Sequence, residues 1–216
     1  MTWQIETHCH TFVSEDSLVR PGDLVAAARR KSLDRVVITD HNSITGALAA
    51  QAIDPELVIV GEEIMTRQGE ILAFFVQEQV PPGLEALQTI QILRQQGAFI
   101  SVSHPFDLLR GGYWELHDLE AIAPLVDAVE VFNARCMQSG YNEQAQTFAR
   151  LHDLPGTAGS DAHALFELGR ARLLTPPFKD VDELRSVIRQ AQVQGRLSSP
   201  WVHLASRYAV WRKRLG

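Results

Sequence analysis

The stretch Glu6-Thr7-His8-Cys9-His10-Thr11 overlaps the first predicted strand, residues 5–8. Side chains alternate in direction along a strand, so His8 and His10 point to one side and Cys9 to the other. Imidazole is the commonest metal ligand among side chains. A single HxH pair is weak evidence by itself. The prediction of a metal site therefore depends on whether other predicted strands also end in histidine or acidic residues.

Composition indicates one folded domain. The chain has 216 residues, of which 45% are hydrophobic and 21% charged, enough to build a sizeable core in a single domain over residues 1–216. The formal net charge of −6 disfavours a broad nucleic-acid-binding surface, which normally needs a basic face. The one basic cluster lies in the C-terminal segment and consists of Arg207, Arg212, Lys213 and Arg214.

Cysteine content and hydropathy bear on cellular location. Cys9 and Cys136 are the two cysteines, which is no disulfide framework and suits a reducing cytosol. No N-terminal apolar run resembles a signal peptide, and no apolar run is long enough to span a bilayer. We therefore expect a cytoplasmic protein with no membrane partner.

Predicted strands and helices alternate along the chain. Apolar runs predict strands at residues 5–8, 36–39, 57–60, 70–76, 98–103, 128–132, 156–159 and 172–175. Helical patterns separate most of them; Asp180 and Glu183 have the spacing of a capping box, and residues 201–216 read as a final helix. Repeated strand–helix units imply parallel strands with right-handed crossovers, and about seven strands favour a barrel with its active site at the C-terminal strand ends.

The predicted strands end in histidine and acidic residues more often than the solvation of loops explains. The candidate ligands at or near these ends are His8, His10, Asp16, His41, Glu63, His104, Asp161 and His163. Imidazole and carboxylate together suit Zn, Mn or Fe, and a set this large suits two or three ions bridged by carboxylates. Such ions act as Lewis acids on a phosphoryl oxygen and generate a hydroxide nucleophile near neutral pH.

Motifs containing these residues occur in order along almost the whole chain: His8-Cys9-His10-Thr11, Ser14-Glu15-Asp16-Ser17, Thr39-Asp40-His41-Asn42, Gly61-Glu62-Glu63-Ile64, Ser103-His104-Pro105-Phe106, Val129-Glu130-Val131-Phe132-Asn133 and Gly159-Ser160-Asp161-Ala162-His163. They resemble the motifs of the PHP (polymerase and histidinol phosphatase) family of metal-dependent phosphoesterases. The resemblance implies a distorted (β/α)7 barrel of PHP type. It also implies two or three divalent metal ions (Mn, Zn or Fe) at the C-terminal strand ends and hydrolysis of phosphate esters.

The resemblance also assigns ligands to the first two ions. His8 and His10 would bind one ion, joined by Glu63 and Asp161, and Glu63 would bridge to a second ion. His104 belongs to a further position.

The remaining positions are assigned to Asp16, His41 and His163. The first loop of the family varies in length, so Glu15 is an alternative ligand to Asp16. The spacing favours Asp16.

One part of the ligand set departs from the family pattern. Several relatives have a histidine near the strand end that here carries Glu130 and Asn133, and this chain has none there. Either Glu130 or Asn133 substitutes for it, or one metal position is weak or empty. Asp40, next to His41, is expected to orient a histidine rather than to bind metal.

Arginines are the natural clamps for a phosphate group. Arg67, Arg110 and Arg135 each follow a motif strand, with Arg135 preferred because it is closest to a predicted strand end. A solvated loop arginine is the alternative interpretation of each.

Other conspicuous side chains are expected to have structural roles. These are His117, His152, His203, Cys9 and Cys136. The aromatic and basic residues after 200 are expected to pack a C-terminal helix on the barrel or on a partner subunit, which leaves a homo-oligomer open.

The predicted reaction is hydrolysis of a phosphate ester on a small molecule or nucleotide, with a metal-bridging hydroxide as the nucleophile. His104, His163 or a metal-bound water would protonate the leaving oxygen, and Asp161 is counted with the catalytic residues. Two alternatives stay open. One is a nuclease or DNA-repair-type module that acts on nucleic-acid ends, and the other is a non-catalytic, metal-stabilised regulatory module.

Overall fold

Nine β-strands form one continuous sheet in the computed structural model, which describes residues 1–215 of the chain. The strands are β1 Trp3–Cys9, β2 Arg35–Ile38, β3 Val58–Met65, β4 Glu70–Phe74, β5 Phe99–Val102, β6 Ala128–Asn133, β7 Gly156–Gly159, β8 Ala171–Thr175 and β9 Gln192–Gly195. The α-helices are α1 Pro21–Arg30, α2 Thr45–Gln51, α3 Ala86–Gln95, α4 Leu116–Ile122, α5 Ser139–Leu151, α6 Val181–Val187 and α7 Val202–Arg214.

The first seven strands wrap into a barrel. They lie side by side in chain order from β1 to β7, and β8 and β9 continue the sheet beyond β1. The barrel closes where Cys9 forms a bridge with Ala162, just after β7, and the backbone N–H of His10 donates to the Ala162 carbonyl at 2.9 Å. β8 pairs instead with the first half of β1. This is the expected distorted (β/α)7 barrel.

The fourth strand departs from the all-parallel order that the sequence pattern implied. β4 pairs antiparallel with β3, with Met65 opposite Glu70, and it is also antiparallel to β5. The apolar run predicted that β3 ends at residue 60, whereas the strand continues to Met65. Because only residues 66–69 join the two strands, there is no room for a crossover helix and the chain folds back as a hairpin. The first residue of β4 therefore lies at the barrel end where the parallel strands finish.

Two apolar clusters lie on the two faces of the sheet. The outer one packs strand residues such as Val36 against the helices. The inner one fills the barrel with Leu72, Phe74 and Phe99, and the rings of Phe74 and Phe99 stack with their centroids 5.4 Å apart. Leu184 of α6 belongs to the same inner cluster. Since the apolar side chains fill one end of the interior, the polar ones collect at the other.

Two local predictions need correction. Asp180 caps α6 as expected, because its carboxylate accepts from the backbone N–H groups of Asp182 and Glu183. The Glu183 carboxylate, however, accepts from Lys179 N at 2.7 Å rather than from Asp180 N, so the capping box is not reciprocal. β9 was not predicted, because its Gln-Val-Gln-Gly sequence is an exposed edge strand with little apolar character.

The C-terminal helix α7 packs on the barrel. The Lys213 ammonium donates to the backbone carbonyls of Phe12 and Ser14, and Val202 and Ala209 are buried. The helix predicted over residues 201–216 ends with Gly216, which lies outside the described residues. Within residues 1–215, no helix is long and apolar enough to cross a membrane.

Candidate metal centre

The structure brings the predicted acid and histidine side chains together at one end of the barrel. Each comes from the end of a strand or from the loop that follows it: His8, His10, Asp16, His41, Glu63, His104, Asp161 and His163. All but His41 and Asp16 have side chains that are at least 97% buried. A buried group of this kind needs compensating cations, protons or hydrogen bonds.

The best-defined part of the cluster, called position 1, consists of His8, His10, Glu63 and Asp161. His8 Nε2 lies 3.2 Å from Glu63 Oε2 and 3.6 Å from Asp161 Oδ1. His10 Nε2 lies 3.5 Å from Glu63 Oε2 and 3.2 Å from Asp161 Oδ1. Adjacent ligand atoms of a tetrahedral site with bonds of about 2.1 Å are separated by about 3.4 Å, so these spacings fit a divalent ion.

The hydrogen bonding at position 1 supports the same fit. His8 Nε2, His10 Nε2, Glu63 Oε2 and Asp161 Oδ1 are all buried, and within the described residues none of them has a hydrogen-bond partner. Buried polar atoms are rarely left without a partner, and each exception calls for an explanation. A bound cation would account for these four atoms, so the residues present fit the metal that the motifs imply.

Supporting side chains turn both histidines toward position 1. His8 Nδ1 lies 2.9 Å from Glu130 Oε1, and His10 Nδ1 lies 3.2 Å from Ser14 Oγ, whose hydroxyl donates to Asp40 at 2.7 Å. Because the carboxylate and the engaged hydroxyl act as acceptors, each imidazole carries its proton on Nδ1. Each Nε2 therefore keeps a lone pair for a metal, as in carboxylate–histidine–metal arrangements.

The next part of the cluster, called position 2, consists of Glu63, Glu70 and His104. His104 Nε2 lies 3.1 Å from Glu63 Oε1 and 3.5 Å from Glu70 Oε2. Glu63 thus directs one oxygen to each position, as expected of a bridging carboxylate, while Ser103 Oγ donates to its Oε1 at 2.7 Å. Glu70 was not among the sequence-predicted ligands.

The third part of the cluster, called position 3, consists of Asp16, His41 and His163. Asp16 Oδ2 lies 2.8 Å from His163 Nε2, and Asp16 Oδ1 lies 3.7 Å from His41 Nε2. The other ring nitrogen of His41 faces Glu63 Oε2 at 3.0 Å, so this histidine lies between positions 2 and 3. Of the two acidic residues left open for this loop, Asp16 reaches the cluster and Glu15 is exposed.

The pKa shifts show how strongly the groups of the cluster interact. Burial alone would lower the pKa of His41, but the carboxylates of Glu63, Glu70 and Asp16 raise it to about 10. Burial and the neighbouring rings of His163 and His41 lower the pKa of His10. Burial would raise the pKa of Glu63, but His8 and His41 hold it well below its usual range. The carboxylates are therefore charged partners for cations, whether protonated imidazole or metal.

Glu130 and Asn133 lie on β6, where the family resemblance led us to expect a histidine, and both are engaged in hydrogen bonds. Glu130 Oε2 accepts from His104 N and from Asn133 Nδ2, both at 3.0 Å. Asn133 Nδ2 also lies 3.2 Å from Asp161 Oδ2, and its Oδ1 accepts from Arg135 N at 2.9 Å. Through these contacts, Glu130 and Asn133 hold the ligand side chains in place. Neither side chain projects into the open side of positions 1 and 2.

A pocket of about 350 Å³ opens beside positions 2 and 3 and is lined by Asp16, His41, Glu70, Arg110, Arg135 and His203 among others. Its volume suits a small molecule. A larger cavity of about 780 Å³ borders Phe75 and Phe178 and contains none of the cluster residues. We place the site in the smaller pocket, because Asp16, His41, Glu70 and His163 of the cluster line it.

The three candidate arginines differ in position. Arg110 contacts Asp161 Oδ2 and lies 3.2 Å from Asp107, while its Nη2 is buried and lacks a partner among residues 1–215. Arg67 is mostly exposed, pairs with Glu85 at 2.9 Å and lies outside the pocket.

Arg135, the preferred arginine in the sequence analysis, is already engaged. Its guanidinium donates to the Val202 carbonyl and to Ser206 Oγ of α7, and it contacts His163 Nδ1 and Glu167. Arg135 therefore links α7 to the cluster. Arg110 is the better candidate to bind a phosphate group, because its Nη2 has no hydrogen-bond partner among residues 1–215.

Two titratable residues of the pocket wall, Glu70 and His203, were not predicted as site residues. Glu70 is the first residue of a strand, whereas the predicted ligands lie at strand ends or in the loops that follow them. His203 belongs to α7 and has no motif, so no local signal could place it in the pocket wall. His117 and His152 lie away from the pocket: His117 is exposed, and His152 stacks on Phe148 with ring centroids 4.1 Å apart.

Comparisons with known proteins agree with this architecture. Residues 6–96 match the family model described as PHP domain, and residues 140–193 match the model described as PHP-associated. An uncharacterised protein of Methanocaldococcus jannaschii is 33% identical over 171 residues, which is 78% of this chain and 68% of that protein. The fold and the cluster define a barrel with a candidate metal centre at the C-terminal ends of its parallel strands. The chain belongs to the PHP family.

Solved structures show the same fold. A two-domain protein of Bacteroides vulgatus, described as containing a predicted PHP-like metal-dependent phosphoesterase, has a TM-score of 0.75 at 19% identity, over 97% of this chain and 70% of that one. A lesion-specific endonuclease from Pyrococcus furiosus has a TM-score of 0.59 at 16% identity, over 93% of this chain and 60% of that one. At these identities, the likeness concerns the fold alone.

Proposed function

We propose that the protein is a metal-dependent phosphoesterase that hydrolyses a small phosphorylated molecule or nucleotide. The observation that carries the proposal is position 1, where four buried ligand atoms lie within 3.6 Å of neighbours in the set and have no hydrogen-bond partner among residues 1–215. Membership of the PHP family supports the same chemistry. When bound, divalent ions would polarise the phosphoryl group and supply a water-derived nucleophile near neutral pH.

The chain's own residues would bind and orient the ester. Arg110 holds Asp161 in place and has a free Nη2 group that can donate to a non-bridging phosphate oxygen. Such donors stabilise the charge that develops during phosphoryl transfer. His203 lies in the pocket wall on α7, where it can contact the part of the substrate beyond the phosphate. His104 and His163 remain the candidate proton donors to the leaving oxygen.

Removal and return of metal test the proposal. Protein treated with a chelator should lose phosphate release from a generic monoester, and Mn²⁺, Zn²⁺ or Fe²⁺ added separately should restore it. Elemental analysis of the same samples should show divalent metal before chelation and none after it. Full activity in a preparation with no measurable metal would contradict the mechanism.

A nuclease is the second candidate, and one surface feature favours it. On α7, Tyr208 and Trp211 are exposed next to Arg212 and Arg214, a combination found where single strands stack and phosphates are neutralised. The acidic net charge disfavours it. Single-stranded DNA in the same assay separates the two functions, since a nuclease should cleave it faster than a small monoester. A regulatory module without catalysis should turn over neither.

A further inference from the structure

We propose that the outer face of α7 is an interface with a second copy of this chain, and that α7 of each copy lies in the groove between α4 and α5 of the other. The assembly is then a closed dimer with two identical contacts. The inference does not depend on the proposed hydrolysis, because none of the residues that carry it lines the pocket beside the metal centre.

One face of α7 is both apolar and exposed. Large side chains recur there at steps of three and four residues, and each is more than half exposed: Trp201, Leu204, Tyr208, Trp211 and Leu215. This spacing places them in one stripe along the helix, called the α7 ridge. Val202 and Ala209, on another face of α7, are buried. The barrel therefore covers one face of the helix, and the ridge stays exposed within residues 1–215.

A groove of about 440 Å³ lies between α4 and α5. Both helices and the loop before α4 contribute to its lining, which includes Phe106, Leu116, Gly140, Gln144, Thr147 and Leu151. Leu116 and Leu151 are more than half exposed. The α5 residues among them recur at steps of three and four, so α5 presents one helical face to the groove. A groove of this kind, called the α4–α5 groove, accepts the apolar side of a third helix.

Cations flank the α7 ridge on both sides. Arg207, Arg212 and Arg214 are exposed, and residues 201–215 contain no Asp or Glu. A direct contact between the α7 ridges of two copies would place these like charges against each other, which is unfavourable. A partner for the ridge must therefore be acidic as well as apolar.

The α4–α5 groove meets this requirement. Glu143 lies in its wall, and Glu120 follows Leu116 by one turn on the same face of α4. Both glutamates are exposed, whereas the neighbouring cation Arg150 donates to Thr147 Oγ1 at 3.2 Å. The chain thus carries a basic apolar ridge and an acidic apolar groove. A second copy supplies the complement of both.

The ridge and the groove begin at neighbouring places on the barrel. Ser198 N donates to the Ala134 carbonyl at 2.6 Å, and the Arg135 guanidinium donates to the Val202 carbonyl at 3.2 Å, so α7 begins beside residues 134–135. The helix α5 begins a few residues later, at Ser139. A two-fold axis near this segment would pair ridge with groove twice. Such a pairing closes, whereas a single head-to-tail contact continues into an open chain.

Two other anionic partners suit the ridge less well. The rings of Tyr208 and Trp211 are tilted by 36° with their centroids 5.8 Å apart, so they do not form the parallel platforms on which successive bases of a single strand stack. The ridge is also a narrow stripe, which is typical of helix packing, whereas a helix that lies in a membrane interface presents a wide apolar face.

The oligomeric state of the full-length protein tests the inference. Sedimentation velocity and light scattering over a range of concentrations should show a dimer that dissociates on dilution and at high salt. The double variant Arg212→Glu, Arg214→Glu reverses the charge of the ridge, and Glu120→Lys, Glu143→Lys reverses that of the groove. Each should raise the dissociation constant of the dimer at least about tenfold, because like charges then face each other.

A mixture of the two charge-reversed proteins distinguishes this interface from others. The acidic ridge of one then faces the basic groove of the other, and the second contact is the wild-type one with respect to charge. A one-to-one heterodimer should therefore form, although neither protein dimerises alone. Arg30→Glu, which changes an exposed cation at the end of α1, is the control and should dimerise as the wild type does. Circular dichroism should show that all variants are folded.

Three results would overturn the inference. The first is a wild-type protein that stays monomeric at every concentration, including one whose ridge arginines instead bind single-stranded DNA or vesicles of phosphatidylserine and phosphatidylcholine. The second is a dimer that Glu120→Lys, Glu143→Lys leaves intact, as a direct contact between the two α7 helices predicts. The third is a mixture of charge-reversed proteins that stays monomeric. A wild-type dimer that both double variants weaken and their mixture restores supports the assignment, whatever the metal content and phosphate release show.

Discussion

Positions 1 and 2 of the cluster share Glu63 but are built from different parts of the barrel. Position 1 takes His8, His10 and Asp161 from the ends of parallel strands, where a barrel of this class is expected to place its site. Position 2 takes Glu70 from the beginning of the antiparallel strand β4. The difference shows that one reversed strand can bring to the mouth of the barrel a residue that does not lie at the C-terminal end of any strand.

The largest expected effect is at position 1. His10→Gln removes one of four ligand atoms while it leaves the backbone contacts of β1 intact. We expect the loss of one metal equivalent and a fall in kcat of about a thousandfold, since metal ions contribute several kcal/mol of transition-state stabilisation. Phosphate release and elemental analysis measure both. His152→Gln, a change outside the cluster, should leave both unchanged, and equal activity of the two variants would contradict the role of His10.

A smaller loss is expected at position 2. Glu70→Gln leaves position 1 intact, so kcat for the monoester should fall by about a hundredfold and thus less than in His10→Gln. Added Mn²⁺ at high concentration should recover part of the rate. A larger fall in kcat for Glu70→Gln than for His10→Gln would contradict the expectation that position 1 contributes more to catalysis than position 2.

The pocket arginine should affect turnover of the substrate, and its contact with Asp161 should make metal binding at position 1 weaker as well when it is removed. Arg110→Gln removes a charged donor that is worth about 1.5–3 kcal/mol, so kcat/KM should fall by about ten- to a hundredfold. Arg67→Gln is the matched control, because Arg67 is exposed and pairs with Glu85 outside the pocket. Steady-state kinetics of both proteins test the assignment, which fails if the two variants behave alike.

The smallest effect on metal binding is expected for Glu130, which contacts the ring nitrogen of His8 that points away from position 1. Glu130→Gln keeps an acceptor near His8 Nδ1 but weakens the bond that fixes the imidazole, so metal affinity at position 1 should fall by about tenfold. Competition with a chromogenic chelator measures this affinity. Stoichiometry at saturating metal should be unchanged, and the loss of a full equivalent would make Glu130 a ligand instead of a support.

Much of the architecture could be predicted from the sequence because each parallel strand has the same sequence pattern. Apolar runs that end in polar residues, as at Thr39-Asp40-His41, locate a strand and its functional end together, and the family and the barrel followed from these motifs. The antiparallel hairpin has no such signature. Glu70 precedes an apolar strand and looks like an ordinary boundary residue, and only the register with Met65 reveals that it faces the cluster.

The features of the site that could not be predicted from the sequence have a common physical reason. His203 reaches the pocket because α7 folds back over the barrel, and Arg135 is engaged because its guanidinium bonds the same helix. The two Arg135 contacts join residues that are 67 and 71 positions apart in the chain. No local pattern encodes them, whereas the roles of His8 and His10 depend on the alternation of one strand.

The most direct test of the polynuclear centre is anomalous diffraction from crystals of protein reloaded with Mn²⁺. One peak should lie among His8 Nε2, His10 Nε2, Glu63 Oε2 and Asp161 Oδ1, and a second should lie within bonding distance of Glu63, Glu70 and His104. No peak at position 1 in protein that binds Mn²⁺ in solution would contradict the centre described above.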